Sequence, residues 1–319
     1  MTAALLVVAA AASPYALRTS AAQTVRVAAF NAPLSRATRL LVVSPHPDDA
    51  VLAAGGLIAR VSAAHGAVHI VQMTSGDAFS KGVMADHRAV VPTADDYRRY
   101  GAERERETVA AMHALGVRHS NLTFLGFPDD GLCVLAAARD RREGFESPYT
   151  KRRSPPVGEQ VIQGVSYLGD DVRRELERVI ARFEPTLVIV PAARDEHPDH
   201  CATHMFVRDA LDAVVRAGMP RPSVLHYLIH FGAWPTTPAP GAPLDPPHAF
   251  PSGDGVWRTV ALTPAEIARK REALAAYKTQ ALVIADLVAA FSRRSELFLE
   301  GEPEPSPACW CRGENIAPR

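Results

Sequence analysis

Short apolar runs alternate with amphipathic stretches along most of the chain. Leu40 to Ser44 and Val68 to Met73 are apolar runs of strand length, and the stretch between them, from about Asp49 to Ala64, has the apolar spacing of a helix. Because this order of strand, helix and strand continues, we expect an α/β fold of the Rossmann-like, three-layer α/β/α type. Its helices would cover both faces of a mainly parallel sheet.

The later elements follow the same rule. The pattern predicts helices from about Ala94 to Leu115, Asp170 to Phe183 and Asp199 to Ala217, and strands at Leu122 to Gly126, Thr186 to Val190 and Val224 to Ile229. Near the end, Thr263 as N-cap, followed by Pro264 and Glu266, predicts a helix that runs to about Gln280.

The N-terminal stretch resembles a targeting segment. Ala3 to Ala12 is an apolar run of about ten residues, whereas a membrane span needs about 20. Ser20 and Ala22 are small residues at the spacing of a cleavage site, although no Lys or Arg precedes the run. We expect a signal peptide and an exported (secreted or periplasmic) protein; the alternative is a disordered or packed leader and a cytoplasmic protein. The predicted organisation is a leader at 1–22, a single domain at 23–300 and a polar, proline-rich tail at 301–319.

Two segments inside the domain interrupt the regular pattern. The segment 139–157 contains six basic and three acidic residues, and the segment 235–251 has seven prolines in seventeen positions. Proline removes a backbone donor, so the second segment is neither a central strand nor a helix interior. Both are predicted to be surface loops that determine which substrate is accepted.

Composition limits the class of protein. The chain has 319 residues, with 35 basic and 35 acidic side chains and 47% hydrophobic residues, as in globular proteins. A net charge of zero provides no field that attracts a polyanion, so binding to nucleic acid is not expected. Four cysteines, of which Cys133 and Cys201 are isolated, indicate neither a disulfide scaffold nor a closed zinc site.

Two tetrapeptides of similar form carry the chemistry. His46-Pro47-Asp48-Asp49 and His197-Pro198-Asp199-His200 each follow a buried strand. A residue before proline is extended and proline suits the first helical turn, so each motif places a histidine beyond a strand and polar side chains at a helix start. The carboxyl ends of parallel strands form the ligand-binding edge of such a sheet. If the two strands are neighbours, both motifs meet in one crevice.

Imidazole and carboxylate groups are zinc ligands, and three of them with an open position make a catalytic site. Acidic residues in a first helical turn also stabilise the helix through its dipole, by about 0.3–1 kcal/mol, without any function. One such motif would leave both interpretations open. Two motifs, each with several ligand-type side chains, favour a metal site.

These residues resemble the N-acetylglucosaminyl-phosphatidylinositol de-N-acetylase family, also called PIG-L or LmbE-like. Arg104 with Glu107 resembles an Arg-x-x-Glu helix of that family, and Leu125 to Leu132 resembles its strand ending in Pro-Asp-x-Gly-Leu. The resemblance extends over roughly Arg39 to Phe298, and the paired motifs are its specific part. It implies a metal-dependent de-N-acetylase with its active site at the carboxyl ends of the strands.

The resemblance also implies a role for each motif residue. The family's zinc ligands fall on His46, Asp49 and His200, with iron possible in place of zinc, and its general base falls on Asp48. His197 is implied to be an acid or oxyanion stabiliser, and we expect its protonated form to face the developing oxyanion. Zinc lowers the pKa of a bound water from about 15.7 to about 7, so that a neighbouring carboxylate can take its proton.

The supporting residues carry weaker signals. Asp199 is expected to orient an imidazole. By resemblance, Arg104 and Asp129 are expected to contact sugar hydroxyls, but a helix charge is often solvated and Asp is common in turns. His230, at a strand end, is a third candidate for substrate binding, although a satisfied local hydrogen bond is the commoner role. His204 follows the second motif at a spacing used by zinc-binding helices.

The predicted function is removal of the N-acetyl group from an N-acetylglucosamine-type sugar or glycoconjugate, which is the only partner expected. Family members usually carry glutamate where this chain has Ala50. Loss of a residue that supports the metal ligands commonly lowers metal affinity or activity by about 10–100-fold. The alternative is therefore a non-catalytic, metal-containing glycan-binding protein. No G-x-G-x-x-G follows the first strand and no G-x-S-x-G is present, which argues against a dinucleotide-dependent oxidoreductase and a serine hydrolase.

Overall fold

The computed structural model describes residues 25–88, 90–139, 142–156, 161–235, 241–248 and 250–301. The predicted leader at 1–22 and the tail beyond residue 301 lie outside these residues. The strands are β1 (Val27–Ala29), β2 (Arg39–Ser44), β3 (Ala67–Thr74), β4 (Leu122–Phe127), β5 (Leu187–Pro191), β6 (Ser223–Tyr227), β7 (Val256–Ala261) and β8 (Ser295–Glu300). The helices are α1 (Asp49–Ala63), α2 (Ser80–His87), α3 (Ala94–Ala114), α4 (Leu132–Ala137), α5 (Gly169–Phe183), α6 (Pro198–Arg216), α7 (Pro264–Leu274), α8 (Lys278–Ala281) and α9 (Ala285–Ala290).

The described strands form one sheet in the order β1-β7-β8-β6-β5-β2-β3-β4. All pairs are parallel except those of β8, which is antiparallel to both β6 and β7. The predicted mainly parallel sheet is therefore confirmed. Leu40 on β2 pairs with Leu187 on β5, and Val42 pairs with Ile189. The two strands that precede the His-Pro-Asp motifs are thus neighbours, as the proposed crevice requires.

Helices cover both faces of this sheet and bury an apolar core on each. Alternate residues of β2 point to opposite faces: Leu40 and Val42 join the core under α1, and Leu41 and Val43 join the core under α5 and α6. All four side chains are fully buried. The three-layer α/β/α architecture is confirmed.

The C-terminal third differs from the sequence prediction. β7 and β8 were not predicted, nor was β1 near the N-terminus, and the helix expected to run to Gln280 ends at Leu274, with α8 following after a break. The break has a tertiary cause. The Tyr277 hydroxyl donates to the Pro47 carbonyl at 2.7 Å, and the Thr279 N–H donates to Glu107 at 2.9 Å. These long-range contacts turn the chain towards the first motif, which local periodicity does not reveal.

Two further features concern the described residues. None of their helices is both long and apolar enough to cross a membrane. Cys133 on α4 and Cys201 on α6 are each disulfide-bonded, so neither is a free thiol. Their isolated positions in the sequence did not predict this.

Candidate active site

The two motifs form their turns for the same local reason. β2 ends at Ser44, and Pro47 carries the chain into α1, where Asp48 is the N-cap and Asp49 the first helical residue. β5 ends at Pro191, and Pro198 opens α6 with His197 as N-cap; the His197 Nδ1 accepts the Asp199 N–H at 3.3 Å. Both helices therefore start at the carboxyl edge of the sheet, with the motif side chains directed to one place.

Three donor atoms meet between the two helix starts. His46 Nδ1 lies 3.2 Å from Asp49 Oδ2, His200 Nε2 lies 3.3 Å from the same oxygen, and the two nitrogens lie 3.3 Å apart. All three side chains are buried. A tetrahedral ion with bonds of about 2.0–2.2 Å places its ligands about 3.3 Å apart. The chemistry and the spacing of these donors therefore fit a metal ion, and the three residues predicted as ligands are the ones brought together.

His200 is backed by a carboxylate that the sequence analysis missed. Asp195 Oδ2 lies 3.2 Å from His200 Nδ1, and Asp195 also accepts the backbone N–H groups of His197, Ile229 and His230 at 2.8–3.1 Å. Burial opposes ionisation of Asp195, but His200, His230 and these N–H groups outweigh it and hold its pKa at about 2. Its only sequence signal is an acid two positions before the second motif.

His46 is backed by Asp129 rather than by Asp199. Asp129 Oδ1 lies 3.2 Å from His46 Nε2, whereas Asp199 Oδ2 lies 3.8 Å away. The Asp129 carboxylate also accepts the Ala78 and Asp130 N–H groups at 2.6 and 3.1 Å. Burial opposes its ionisation, but His46 outweighs this and keeps the pKa of Asp129 at about 2. Asp129, which was expected to contact sugar, thus lies against the imidazole of His46.

Asp199 fixes the turn that carries Asp129. It is completely buried, and its two oxygens accept the Asp130 N–H at 2.7 Å and the Leu132 N–H at 3.0 Å. Asp130 has a backbone φ of 57°, a left-handed conformation that is uncommon for a residue with a side chain. Asp199 therefore holds this turn through both oxygens, in addition to its longer contact of 3.8 Å with the His46 imidazole.

Arg104 contacts the expected base instead of lying on a solvated face. Its guanidinium donates to Asp48 Oδ1 at 2.9 Å and to the Gly76 carbonyl at 2.7 Å, and both side chains are buried. Gly76 has a φ of 64°, and a Cβ there would lie 1.7 Å from the Arg104 guanidinium, so only glycine fits. Burial raises the pKa of Asp48 and Arg104 opposes this shift, which leaves a carboxylate of raised basicity.

Two further histidines lie beside the triangle formed by the donor atoms of His46, Asp49 and His200, which we call the donor triangle. The His197 ring lies 4.6 Å from the His46 ring, and the His230 ring lies 5.1 Å from the His200 ring, centre to centre. Burial and the neighbouring imidazoles lower the pKa of His197 well below its usual value, so the ring is neutral here. We expected the protonated form of His197. The ring would take up a proton only when a negative charge develops beside it. His204 is turned away: its Nδ1 lies 3.1 Å from the Pro191 carbonyl, outside the triangle.

The segment from residue 41 to 211, just over half of the chain, matches the model of the PIG-L family of GlcNAc-PI de-N-acetylases. A relative from Nakamurella multipartita, a 1D-myo-inositol 2-acetamido-2-deoxy-alpha-D-glucopyranoside deacetylase, is 31% identical over 304 residues, which are 88% of this chain and 95% of that protein. The chain belongs to the PIG-L family. The family model and this relative are both named for deacetylases, which are hydrolases that act on amides, and the match confirms the family resemblance.

Other PIG-L relatives are matched over a shorter span. The deacetylase of the same name from Mycolicibacterium gilvum is 29% identical over 175 residues, 55% of each protein, so the chain spans about half the length of this relative. Among solved structures, the conserved protein TT1542 from Thermus thermophilus has a TM-score of 0.51 and 24% identity, covering 84% of this chain and 96% of that one. The zinc inhibited form of teicoplanin deacetylase Orf2 has a TM-score of 0.52 and 22% identity, covering 84% and 100%. Both share the fold.

The PIG-L segment contributes most, but not all, of the cleft around these residues. The cleft has a volume of about 250 Å³, and its polar side is formed by His46, Asp48, Asp49, Arg104, Asp129, Asp130, His197, His230 and Gln280. Its apolar side chains are Leu52, Phe79, Ile229, Ile284 and Leu287. No described residue of the predicted loops 139–157 and 235–251 lines it; the Tyr149 hydroxyl reaches its rim by donating to Asp130 at 2.9 Å.

Proposed function

We propose that this protein is a metal-dependent hydrolase that removes the acetyl group from an N-acetylglucosamine-type sugar or glycoconjugate. The observation that carries the proposal is the donor triangle of His46, Asp49 and His200, of which His46 and Asp49 line one cleft together with Asp48. Membership of the PIG-L family and relatives that act on a 2-acetamido sugar support the choice of substrate class.

The donor triangle favours zinc among the metals. Two imidazole nitrogens and one carboxylate oxygen leave a fourth tetrahedral position open, as in catalytic zinc sites, although the same donors also accept iron. When bound, the metal would polarise the acetyl carbonyl and make water more acidic at neutral pH. His46, Asp49 and His200 would hold it, while Asp129 and Asp195 keep both imidazoles in position through their other nitrogens.

The remaining groups of the chain would move protons. Asp48 lies next to Asp49 in sequence and lines the cleft, and Arg104 orients its carboxylate by donating to Oδ1. From this position the carboxylate would take a proton from the attacking water. A raised pKa makes it a better base than an ordinary aspartate. His197 lines the same cleft and would donate a hydrogen bond to the oxyanion, whose negative charge favours protonation of the ring. Donation to the leaving amine would follow from the same position.

The test compares metal content with acetate release in four proteins. The wild type should bind about one metal ion per chain and release acetate from N-acetylglucosamine glycosides. Asp48→Asn should keep the metal but lose at least about 100-fold in kcat, as expected for a general base. His200→Ala should lose both metal and activity. His204→Gln, on the same helix but outside the triangle, is the matched control and should retain both.

Each opposite result has a distinct meaning. Full activity in Asp48→Asn would refute the base assignment, and metal retained in His200→Ala would refute the ligand set. A wild type that holds metal and binds the glycosides without releasing acetate would instead establish the non-catalytic, glycan-binding alternative.

A further inference from the structure

One part of the cleft has no evident use in binding a polar sugar. The side chains of Leu52, Phe79, Ile229, Ile284 and Leu287, which we call the apolar wall, line the same cleft as the metal-type donors. Leu52 and Ile229 are almost completely buried, whereas the other three are half-buried. Phe79, Ile284 and Leu287 are therefore the side chains of the wall that are accessible to a substrate in the cleft.

The outer part of this wall is held firmly in place. Ile284 follows α8 and Leu287 lies on α9, both beyond the segment that matches the family model. Two anchors tie α8 to α3: the Thr279 hydroxyl donates to Glu107 at 2.6 Å, and the Gln280 amide donates to the Tyr100 hydroxyl at 3.0 Å. Ile284 and Leu287 thus follow an anchored helix, in a part of the chain that the family model does not cover, whereas Leu52 and Phe79 lie inside the matched segment.

Apolar side chains select for apolar partners. A sugar hydroxyl buried against them would lose its hydrogen bonds to water without replacement, which is unfavourable. The acetyl methyl is small and accounts for contact with one or two of the five side chains. Leu287 also packs against the core under α1 with part of its surface. The surface of the wall that remains open to the cleft must face another apolar part of the substrate or stay in contact with water.

We propose that Phe79, Ile284 and Leu287 form a subsite for an apolar aglycone, an alkyl or aromatic group attached through the anomeric oxygen of the amino sugar. This inference rests on the proposed function, because the acyl group that is removed there is acetyl and leaves the aglycone as the other end of the substrate. Three half-buried apolar side chains that line one cleft suit an alkyl chain or an aromatic ring.

The experiment compares the octyl and methyl glycosides of N-acetylglucosamine with the full, metal-loaded chain, below the micellar concentration of the octyl compound. The wild type should prefer the octyl glycoside by at least about tenfold in kcat/KM, since each buried methylene adds to binding. Ile284→Asn and Leu287→Asn should lose most of that preference while acting on the methyl glycoside within about twofold of the wild type. Leu282→Asn, in the same segment but 61% exposed and outside the cleft, is the matched control and should behave as the wild type.

Three results would overturn the proposal. The first is equal kcat/KM on both glycosides in the wild type. The second is an equal loss on both glycosides in Ile284→Asn and Leu287→Asn, which would make the wall a support of the fold. The third is a preference for the methyl glycoside of N-octanoylglucosamine, which would place the apolar chain on the acyl side.

A binding measurement tests the subsite independently of the proposed function. If no glycoside releases acetate, calorimetric binding of the octyl and methyl glycosides decides the matter. Tighter octyl binding by about tenfold that is lost in Leu287→Asn supports the subsite, and equal binding refutes it.

Discussion

Each imidazole of the candidate metal site faces a buried carboxylate through the nitrogen that does not point at the site. His46 Nε2 lies 3.2 Å from Asp129, and His200 Nδ1 lies 3.2 Å from Asp195. Both carboxylates are fixed in turn by backbone N–H groups, so the ring orientations are set before any metal binds. This arrangement gives the ligands their direction and raises their basicity.

The substitution Asp195→Asn tests this support. It keeps the shape of the side chain but removes the charge beside His200, so we expect metal affinity to fall by about 10–100-fold. A chelator competition measures the affinity, and circular dichroism checks the fold. Asp209→Asn on α6, where the aspartate pairs with Arg139 away from the site, should leave affinity unchanged. Unchanged affinity in Asp195→Asn would mean that α6 alone orients His200.

At the scale of elements, the buried ion pair of Lys270 and Glu296 replaces a backbone hydrogen bond in the middle of α1. Lys270 on α7 donates to the Leu52 carbonyl at 2.8 Å and to Glu296 on β8 at 2.7 Å. Glu296 accepts the Gly56 and Leu57 N–H groups at 2.7 and 2.9 Å. In an uninterrupted helix the Gly56 N–H would instead bond to the Leu52 carbonyl. Two C-terminal elements therefore hold the helix whose first turn carries Asp48 and Asp49.

Removing one partner of this pair should be costly. Glu296→Gln leaves Lys270 charged in a buried position, and Lys270→Met does the same to Glu296, so each should reduce the free energy of unfolding by about 3–5 kcal/mol. The double variant should recover part of the loss. Urea denaturation at pH 7 measures these values.

The matched control joins the same two helices at the surface. Arg60 on α1 pairs with Glu266 on α7 at 2.7 Å, with both side chains partly exposed. Arg60→Met should cost no more than about 1 kcal/mol. If the buried variants cost as little, the pair would have no special part in holding α1.

At the scale of the whole molecule, the sheet carries a titrating group far from the cleft. His69 on β3 lies 2.9 Å from the Thr123 hydroxyl on β4, and its ring lies 5.3 Å from that of Phe183. Burial, aided by Arg182, lowers the pKa of His69 to about 4. Since a histidine in the unfolded chain has a pKa of about 6.5, His69 binds its proton more tightly in the unfolded state than in the folded state. Stability is therefore complete above about pH 6.5 and declines as the pH falls towards 4.

The expected decline from this residue is about 2 kcal/mol, after allowing for its partial exposure to solvent. Thermal unfolding between pH 4 and 7.5 measures it. His69→Gln should flatten this part of the profile, and His113→Gln, at an exposed position on α3, should follow the wild type. A profile that is equally steep in His69→Gln would assign the pH dependence to other groups.

The sequence anticipated the α/β core because its signals are local. The predicted strands and helices between Arg39 and Ala217 agree with the structure to within one or two residues. β7 and β8 were missed because they pair with strands far away along the chain, and their apolar pattern alone is too short to separate a strand from a loop. The two loops expected to determine the substrate contribute no described residue to the lining of the cleft, whereas Phe79 and Leu287 do line it.

The sequence by itself determined where the chemistry lies. Proline after a histidine, and aspartates at a helix start, place each motif at a strand end through local backbone preferences alone. Only the tertiary structure decided which carboxylate supports which imidazole, that Arg104 holds Asp48, and that the C-terminal helices border the cleft. Most of these depend on contacts between residues from about 50 to more than 200 positions apart, such as Tyr277 with Pro47. Packing and burial set those contacts, and no local pattern encodes them.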